Sequence, residues 1–191
     1  MKILFLIILS CATLFSTTIN TSLLKIHATL LPKIYLMQYD LNNKIKDNTI
    51  RLTILYNQST YKDAKTLKYM IEHKYNKHIK KYKLAVNILM YNSKKHINTN
   101  VYYLLPSSKK DIKDAVKLAK EDNALTFSYL KDDLKDGVMC SLSVAKKIKP
   151  ILNLKAIKDN DISFRPILIK ISSIYHHTYT NLISKLNEFL V

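Results

Sequence analysis

Glycine is almost missing from this chain, since Gly137 is its only glycine in 191 residues. Loops that cradle nucleotide phosphates need several glycines at fixed spacing, and so does the strained turn that carries the nucleophile of many serine hydrolases. The sequence therefore excludes the dinucleotide-binding, P-loop and Gly-x-Ser-x-Gly motifs. The pair Asp136-Gly137 instead indicates a turn with a positive φ that leads into a strand.

Tryptophan is absent, and cysteine occurs only as Cys11 and Cys140. Cys11 lies in an apolar leader that we expect to be removed, so no internal disulfide is expected. Cys140 lies in the apolar run 138–144, which favours a small buried strand residue over a reactive or intermolecular thiol.

Arginine is scarce although the formal net charge is +17: of 31 basic residues only Arg51 and Arg165 are arginine. Specific recognition of phosphate and guanine favours the planar fork of arginine over lysine. We therefore attribute the high net charge to the codon bias of an AT-rich genome, which favours lysine. We expect no specific nucleic-acid partner. The densest basic stretch, residues 72–83 (EHKYNKHIKKYK), is the candidate for a polyanion-binding surface.

The first fifteen residues, MKILFLIILSCATLF, have the composition of a secretory leader. Their apolar core is shorter than the roughly 20 residues that a membrane-spanning helix needs. We predict a signal peptide over 1–16, cut after Ser16, and a periplasmic or secreted product. A lipoprotein-type cut that leaves the lipid on Cys11 is the alternative.

Short β-rich runs alternate with helical patterns from residue 50 onward, after an amphipathic segment at 22–37 and a polar linker at 40–48. Pro32 indicates a kink or a second helix within the first segment. The predicted strands are 51–56, 82–91, 100–105 and 125–129. The predicted helices are 60–76 and 109–121, each opened by a capping pattern, Thr60-x-x-Asp63 and Ser108-x-x-Asp111, with a short helical turn at 131–134.

The spacing of predicted elements changes in the C-terminal third, because the apolar runs 137–144 and 148–154 are separated by only three residues. That spacing predicts an antiparallel hairpin. Helices are expected at 166–173 and 179–191, the last with an apolar stripe at Leu182, Ile183, Leu186 and Leu190 that we expect to pack on its own core. The sequence thus predicts one three-layer α/β domain over 17–191, with a mostly parallel sheet and helices on both faces.

Ligands of parallel α/β sheets gather at the carboxyl ends of the strands, where helix N-termini also lie. We call this edge the rim. Its predicted ligand-binding residues are Asn57, Ser59, Thr60, Ser107, Ser108, Ser128 and Tyr129, together with the loop Asn92-Ser93. With no charge at the loop centres, such a rim could hold a small polar or anionic molecule. The alternative is that Thr60 and Ser108 only cap their helices.

Catalytic and metal-binding patterns are not found in the sequence. His73 and His78 fall on different faces of a helix, and the adjacent pair His176-His177 cannot share one ligand direction. The pair Asp132-Asp133 lies between lysines, which fits an exposed turn better than a general acid and base. We therefore predict no catalytic residue, no metal site and no cofactor.

Four short segments are similar to the YfiR-like periplasmic family. Leu125-Thr126-Phe127-Ser128 resembles a family strand, Gly137-Val138-Met139-Cys140 resembles its Gly-Gly-Met-Ile motif, and 152–156 resembles its Ile-Asn-x-x-Ala-Ala segment. The final run 166–171 resembles its terminal Leu-rich helix. The motif-like residues are Gly137, Met139 and Asn153. The resemblance implies an exported, non-enzymatic regulator that binds a membrane-bound signalling protein, such as a diguanylate cyclase.

Three hypotheses remain open at the level of sequence. The leading one is a non-catalytic exported protein that binds a membrane signalling partner. The alternative is a periplasmic small-solute-binding protein of a transport system, which would use the serine-rich loops of the rim. The third is polyanion binding through residues 72–83.

Overall fold

The computed structural model describes residues 19–39 and 41–176. The predicted signal peptide, both cleavage alternatives, Cys11, His177 and the predicted helix 179–191 with its apolar stripe lie outside the described residues. Within the described ranges, no helix combines the length and the apolar character needed to cross a membrane.

One eight-stranded sheet organises the described chain. Its strands are β1 (Thr49–Tyr56), β2 (His78–Ile79), β3 (Tyr82–Met90), β4 (Val101–Leu104), β5 (Leu125–Ser128), β6 (Cys140–Val144), β7 (Ile148–Leu152) and β8 (Ser173–Ile174). The spatial order is β2-β3-β1-β4-β5-β6-β7-β8.

Five neighbouring strands of this sheet, β3, β1, β4, β5 and β6, run parallel. At the two flanks β2 is antiparallel to β3 and β7 is antiparallel to β6, while β8 is parallel to β7. The predicted fold class is thereby confirmed, including the antiparallel C-terminal hairpin.

Helices cover both faces of the sheet. They are α1 (Thr21–Tyr35), α2 (Leu41–Lys44), α3 (Tyr61–Tyr75), α4 (Lys109–Glu121), α5 (Leu154–Lys158) and α6 (Pro166–Ile171), with 3-10 turns at Lys46–Asn48, Gln58–Thr60 and Lys131–Asp136. α1 and α3 pack against each other on one face, and α4 lies on the other with the turn at 131–136.

Two buried clusters, one on each face, hold these layers together. The first joins α1 and α3 to the sheet through fully buried Leu24, Leu31, Ile54, Leu67 and Ile71. The second joins α4 to the opposite face through Tyr102, Leu104, Ile112, Ala115 and Ala119. Burying one leucine or isoleucine side chain contributes about 1.5–3 kcal/mol, so the alternation of apolar residues along the strands fixes which face meets which helix.

The crossover from β3 to β4 is unusual because residues 91–100 contain no helix or strand. A parallel crossover normally carries a helix. Here Ile97 packs against the second cluster, and the Thr53 and Thr99 hydroxyls form a buried hydrogen bond of 2.7 Å. A loop therefore covers the sheet where a helix is usual.

Several sequence-based boundaries need correction. α1 runs through Pro32, so no second helix begins there. The predicted linker 40–48 contains α2 and a 3-10 turn in its described part. The short strand β2 was missed inside the basic stretch 72–83, because two residues are too few to show a period.

Cys140 is fully buried in β6, as predicted. Burial raises the pKa of its thiol, so the thiolate that would react with other groups is suppressed at neutral pH.

Gly137 adopts a positive φ of 100° at the end of the turn 131–136, a conformation that favours glycine. A Cβ added there would lie 3.2 Å from Val116 Cγ1. Gly137→Ala should lower the free energy of unfolding by about 1–3 kcal/mol, measured by chemical denaturation. Asn123→Gly, at another left-handed position (φ 51°), is the control and should not destabilise. An unchanged stability of the alanine variant would contradict this account.

His27 is a fully buried histidine whose Nδ1 lies 2.8 Å from the Tyr103 hydroxyl. Burial lowers its pKa from 6.5 to about 4. Because the unfolded chain then binds the proton more readily, the stability contributed by neutral His27 is complete above pH 6.5 and is lost as the pH falls toward 4.

The free energy of unfolding should therefore fall by about 3 kcal/mol more in the natural protein than in His27→Gln between pH 7 and pH 4. Glutamine does not titrate and can still pair with the Tyr103 hydroxyl. If the free energy of unfolding changes with pH by the same amount in the two proteins, His27 does not have the lowered pKa.

Candidate functional site

The order of the parallel strands creates a switch point between β1 and β4. After β1 the chain passes through α3 to β3 on one side, whereas after β4 it passes through α4 to β5 on the other. The loops after β1 and β4 therefore diverge to opposite faces. Such a crevice at the carboxyl ends of the strands is the usual ligand site of open α/β sheets.

Asn57 bridges this crevice with its side-chain amide. Its Nδ2 donates to the Pro106 carbonyl at 3.1 Å and reaches the Ser107 hydroxyl at 3.3 Å. Its Oδ1 accepts from the Ser59 hydroxyl at 2.6 Å and from the Thr60 amide at 3.1 Å. The structure thus brings four predicted residues together, but their polar groups bind one another.

Thr60 does not cap α3 with its side chain, contrary to the sequence-based prediction. The capping box forms one turn earlier, where Asn57 caps the turn 58–60 and the Thr60 hydroxyl accepts from the Asn57 amide at 3.0 Å. The physical reason is that Asn57 directly follows β1, so its acceptor reaches the free amide first.

Asp111 brings a carboxylate to the rim, where the sequence predicted no charge. Its two oxygens accept from the Ser107 hydroxyl at 2.6 Å and from Asn92 Nδ2 at 2.7 Å, while Ser108 caps α4 as predicted by accepting from the Asp111 amide. Burial raises the pKa of Asp111, but the hydrogen bonds from Ser107, Asn92 and Ser108 outweigh it and leave the pKa below the usual value. The group is therefore a fixed anion.

Ser128 is fully buried, so its side chain lies beneath the surface of the rim. Its hydroxyl donates to Asp133 and accepts from the Leu130 amide at 3.1 Å. Asp133 is half-buried rather than part of an exposed turn, because the turn 131–136 folds back over the end of β5. Burial raises the pKa of Asp133, and the bond from Ser128 acts against that rise.

Tyr129 lies under the start of α1. Its hydroxyl accepts from the Asn20 amide at 2.9 Å, and its ring lies 5.5 Å from the ring of His27. Its packing therefore ties α1 to the sheet. His27 itself was missed at the level of sequence, since a single histidine in an apolar helix carries no spacing signal.

The three motif-like residues connect neighbouring elements of the fold. Met139 is fully buried, and its amide donates to the Thr126 hydroxyl at 2.9 Å. Asn153 caps α5 through the Ala156 amide at 3.1 Å and donates to the Leu134 carbonyl at 2.9 Å. With Gly137 ending the turn, these residues join β6, α5 and the turn 131–136. The resemblance thus rests on residues that stabilise the fold.

Exposed apolar side chains lie at the same edge as the polar groups of the rim. Tyr61 begins α3 and is 42% exposed, while Met90 ends β3 and is 49% exposed. Val144 ends β6 and Ile148 begins β7, on either side of the hairpin turn, and they are 51% and 45% exposed. Because all four follow or flank the carboxyl ends of parallel strands, they share one edge of the molecule.

The cavity at this edge is small, with a volume of about 110 Å³ between Leu55, Tyr91, Asn92 and Asp111. Small-molecule sites usually measure about 300–1,000 Å³. Larger cavities lie elsewhere: one of about 450 Å³ between α4 and α5, lined by Gly137 and Asn153, and two of about 560 and 340 Å³ at the amino ends of the strands.

Histidine and acidic side chains do not gather into a metal-binding group of three or more anywhere in 19–39 and 41–176. His73 contacts the Tyr69 carbonyl at 3.0 Å, and His78 contacts the Asn76 carbonyl at 3.1 Å, so each is bound to its own local backbone.

The comparisons with known proteins give a fold and no family. No protein-family model matches the chain, and no curated protein matches it. A solved structure of a conserved domain protein from Vibrio cholerae O1 biovar El Tor strain N16961 is similar over 79% of this chain, with a TM-score of 0.56 and 13% identity. The match spans 59% of that protein, so this chain corresponds to little more than half of its length.

A second solved structure, the ABC domain in complex with L-Trp from Streptococcus pneumonia, is similar over 74% of this chain and 60% of its own, with a TM-score of 0.49 and 11% identity. At such identities the likeness to the Vibrio cholerae protein shows a shared fold alone.

Proposed function

We propose that this chain is a non-catalytic, exported binding protein that contacts a protein partner through the rim. The observation that carries the proposal is that exposed Tyr61, Met90, Val144 and Ile148 lie at the same edge as the polar groups of the rim. Tyrosine and methionine are enriched at protein interfaces, where apolar anchors are surrounded by polar groups. A preordered surface also loses little entropy on binding.

The internal hydrogen bonds of the rim favour a protein partner over an enclosed solute. Asn57, Ser59, Thr60 and Ser107 already bind one another, so a small ligand would have to break these bonds. The neighbouring cavity of about 110 Å³ is also below the usual size of a small-molecule site. A protein surface can instead contact the exposed side chains without disturbing the centre.

The chemistry of the rim serines supports a non-catalytic role. A serine nucleophile needs a neighbouring base that takes its proton near neutral pH. The partner of Ser107 is Asp111, whose lowered pKa makes it a weak base. The partner of Ser128 is Asp133, and the Ser128 hydroxyl is buried away from any substrate.

A membrane-bound signalling protein is the partner that we propose. This class of partner is the one that the resemblance to YfiR-like proteins implies, and the leader-like first fifteen residues support a location where the extracytoplasmic part of such a partner is accessible. A second candidate function, solute binding in a transport system, is favoured by the larger cavities at the amino ends of the strands.

The third prediction concerns the partner surface. A photo-crosslinking amino acid placed at Met90 or Ile148, in cells that produce the natural protein, should form a crosslink to one membrane protein. The same residue at Tyr69, which is 59% exposed in the middle of α3, is the control and should not. Met90→Lys should then weaken binding of the identified partner about tenfold, because it removes an apolar anchor.

Equal crosslinking from Tyr69 and from the rim, or products with soluble proteins alone, would contradict the proposal. Mass spectrometry of the mature protein tests the export step separately. We expect a first residue of Thr17, or a lipid-modified Cys11, and an intact Met1 would rule out export through this leader.

A further inference from the structure

A groove at the amino ends of the strands joins two of the larger cavities. The cavities measure about 560 and 340 Å³ and share Leu36, Lys80 and Arg165. We call their union the amino-edge groove. It lies between the end of α1, the turn that joins β2 to β3, and the residue before α6. This location is at the opposite end of the strands from the rim.

The amino-edge groove is positively charged. Lys33, Lys80, Lys81 and Arg165 line it, and no acidic side chain lines it among the described residues. None of these four cations forms an ion pair within residues 19–39 and 41–176. All four side chains are exposed, and several cations that line one concave surface attract an anion.

An apolar and aromatic wall accompanies the charges. Leu36, Met37, Ile79 and Tyr75 contribute to the smaller cavity, and Tyr82 contributes to the larger one. Sites for small organic molecules combine such walls with a few placed polar groups. A ligand with an apolar body and an anionic group would match both parts of the lining.

Gln38 provides a polar group with no partner. It is 2% exposed, it lines the larger cavity, and its Nε2 has no hydrogen-bond partner in the described part of the chain. An unsatisfied buried donor is costly, and native structures rarely keep one without a reason. Because this Nε2 atom is inaccessible to solvent, a ligand oxygen could pair with it only after the Gln38 side chain turns toward the groove.

The backbone holds these groups in place. The Arg165 amide donates to the Met37 carbonyl at 2.8 Å, and the Tyr39 amide donates to the Ser163 carbonyl at 2.9 Å. The end of α1 is thereby tied to the segment that carries Arg165. On the other wall Lys80 occupies a left-handed conformation with φ 52°, which is uncommon for lysine and directs the turn between β2 and β3.

We propose that the amino-edge groove binds small organic anions that carry an apolar or aromatic body. The basic stretch 72–83 takes part, since Lys80 and Lys81 come from it, but as one wall of a concave site rather than as a flat polyanion surface. This inference deepens the second candidate function, solute binding, and is independent of the proposed partner surface, which lies at the other edge of the sheet.

The test compares ligands that share a body and differ in charge. Probes are 2-naphthoate, phenylacetate and decanoate, each paired with its neutral alcohol, with inorganic phosphate as a charge without a body. Isothermal titration at pH 7 and a thermal-shift assay measure binding to the full mature chain. At least one carboxylate should bind at least tenfold more tightly than its alcohol, and phosphate should bind more weakly than that carboxylate.

Two variants locate the site. Arg165→Gln and Lys80→Gly should each weaken the best carboxylate about tenfold, which is the usual effect of losing one charged hydrogen-bond donor. Lys80→Gly should also leave the melting temperature unchanged or raise it, because glycine adopts a positive φ freely. Lys117→Gln, with the same charge change on exposed α4, is the control and should bind like the natural protein.

Four outcomes would overturn the proposal: no binding of any carboxylate at millimolar concentration, equal binding of the alcohols, phosphate or heparin binding as tight as the best carboxylate, or unchanged affinity in both groove variants. The first leaves the rim crosslinks unaffected, so failure here and failure of the proposed function are distinguishable.

Discussion

The arrangement of the carboxyl edge depends on the hydrogen bonds that the side-chain amide of Asn57 makes to the loops after β1 and β4. Parallel strands that diverge to opposite faces leave a crevice between β1 and β4, and crevices of this kind usually receive a ligand. Here Asn57 fills that role from within the chain by binding the Pro106 carbonyl and the Thr60 amide at once. The two loops are therefore held in one arrangement before any partner arrives.

The two edges of the sheet consequently differ in character. At the carboxyl edge, polar groups pair with one another, Asp111 is held as an anion by its neighbours, and exposed apolar side chains lie at the same edge. At the amino edge, Lys80 and Arg165 form no ion pair within residues 19–39 and 41–176, and Gln38 Nε2 has no hydrogen-bond partner there. This difference is why we propose a protein partner for the carboxyl edge and a small organic anion for the amino edge.

Sequence reasoning succeeded where the signal is local. The apolar runs gave the parallel strands and the hairpin, and the pattern Ser108-x-x-Asp111 before an amphipathic segment gave α4 with its cap. It failed where distant segments meet. That Asp111 and Asp133 turn toward the rim depends on tertiary packing, and Gln38, Lys80 and Arg165 come from segments far apart in the chain, so no spacing in the sequence brings them together.

The most direct test of the account is the free energy of unfolding of Asn57→Ala, compared with Ser59→Ala. The account predicts a loss of about 2–4 kcal/mol for Asn57→Ala, because several buried or half-buried groups lose their partner, and less than about 1 kcal/mol for exposed Ser59. A free energy of unfolding of Asn57→Ala within about 0.5 kcal/mol of the natural value would be typical of a surface substitution. That result would show that this amide does not close the crevice, and it would contradict the preordered rim.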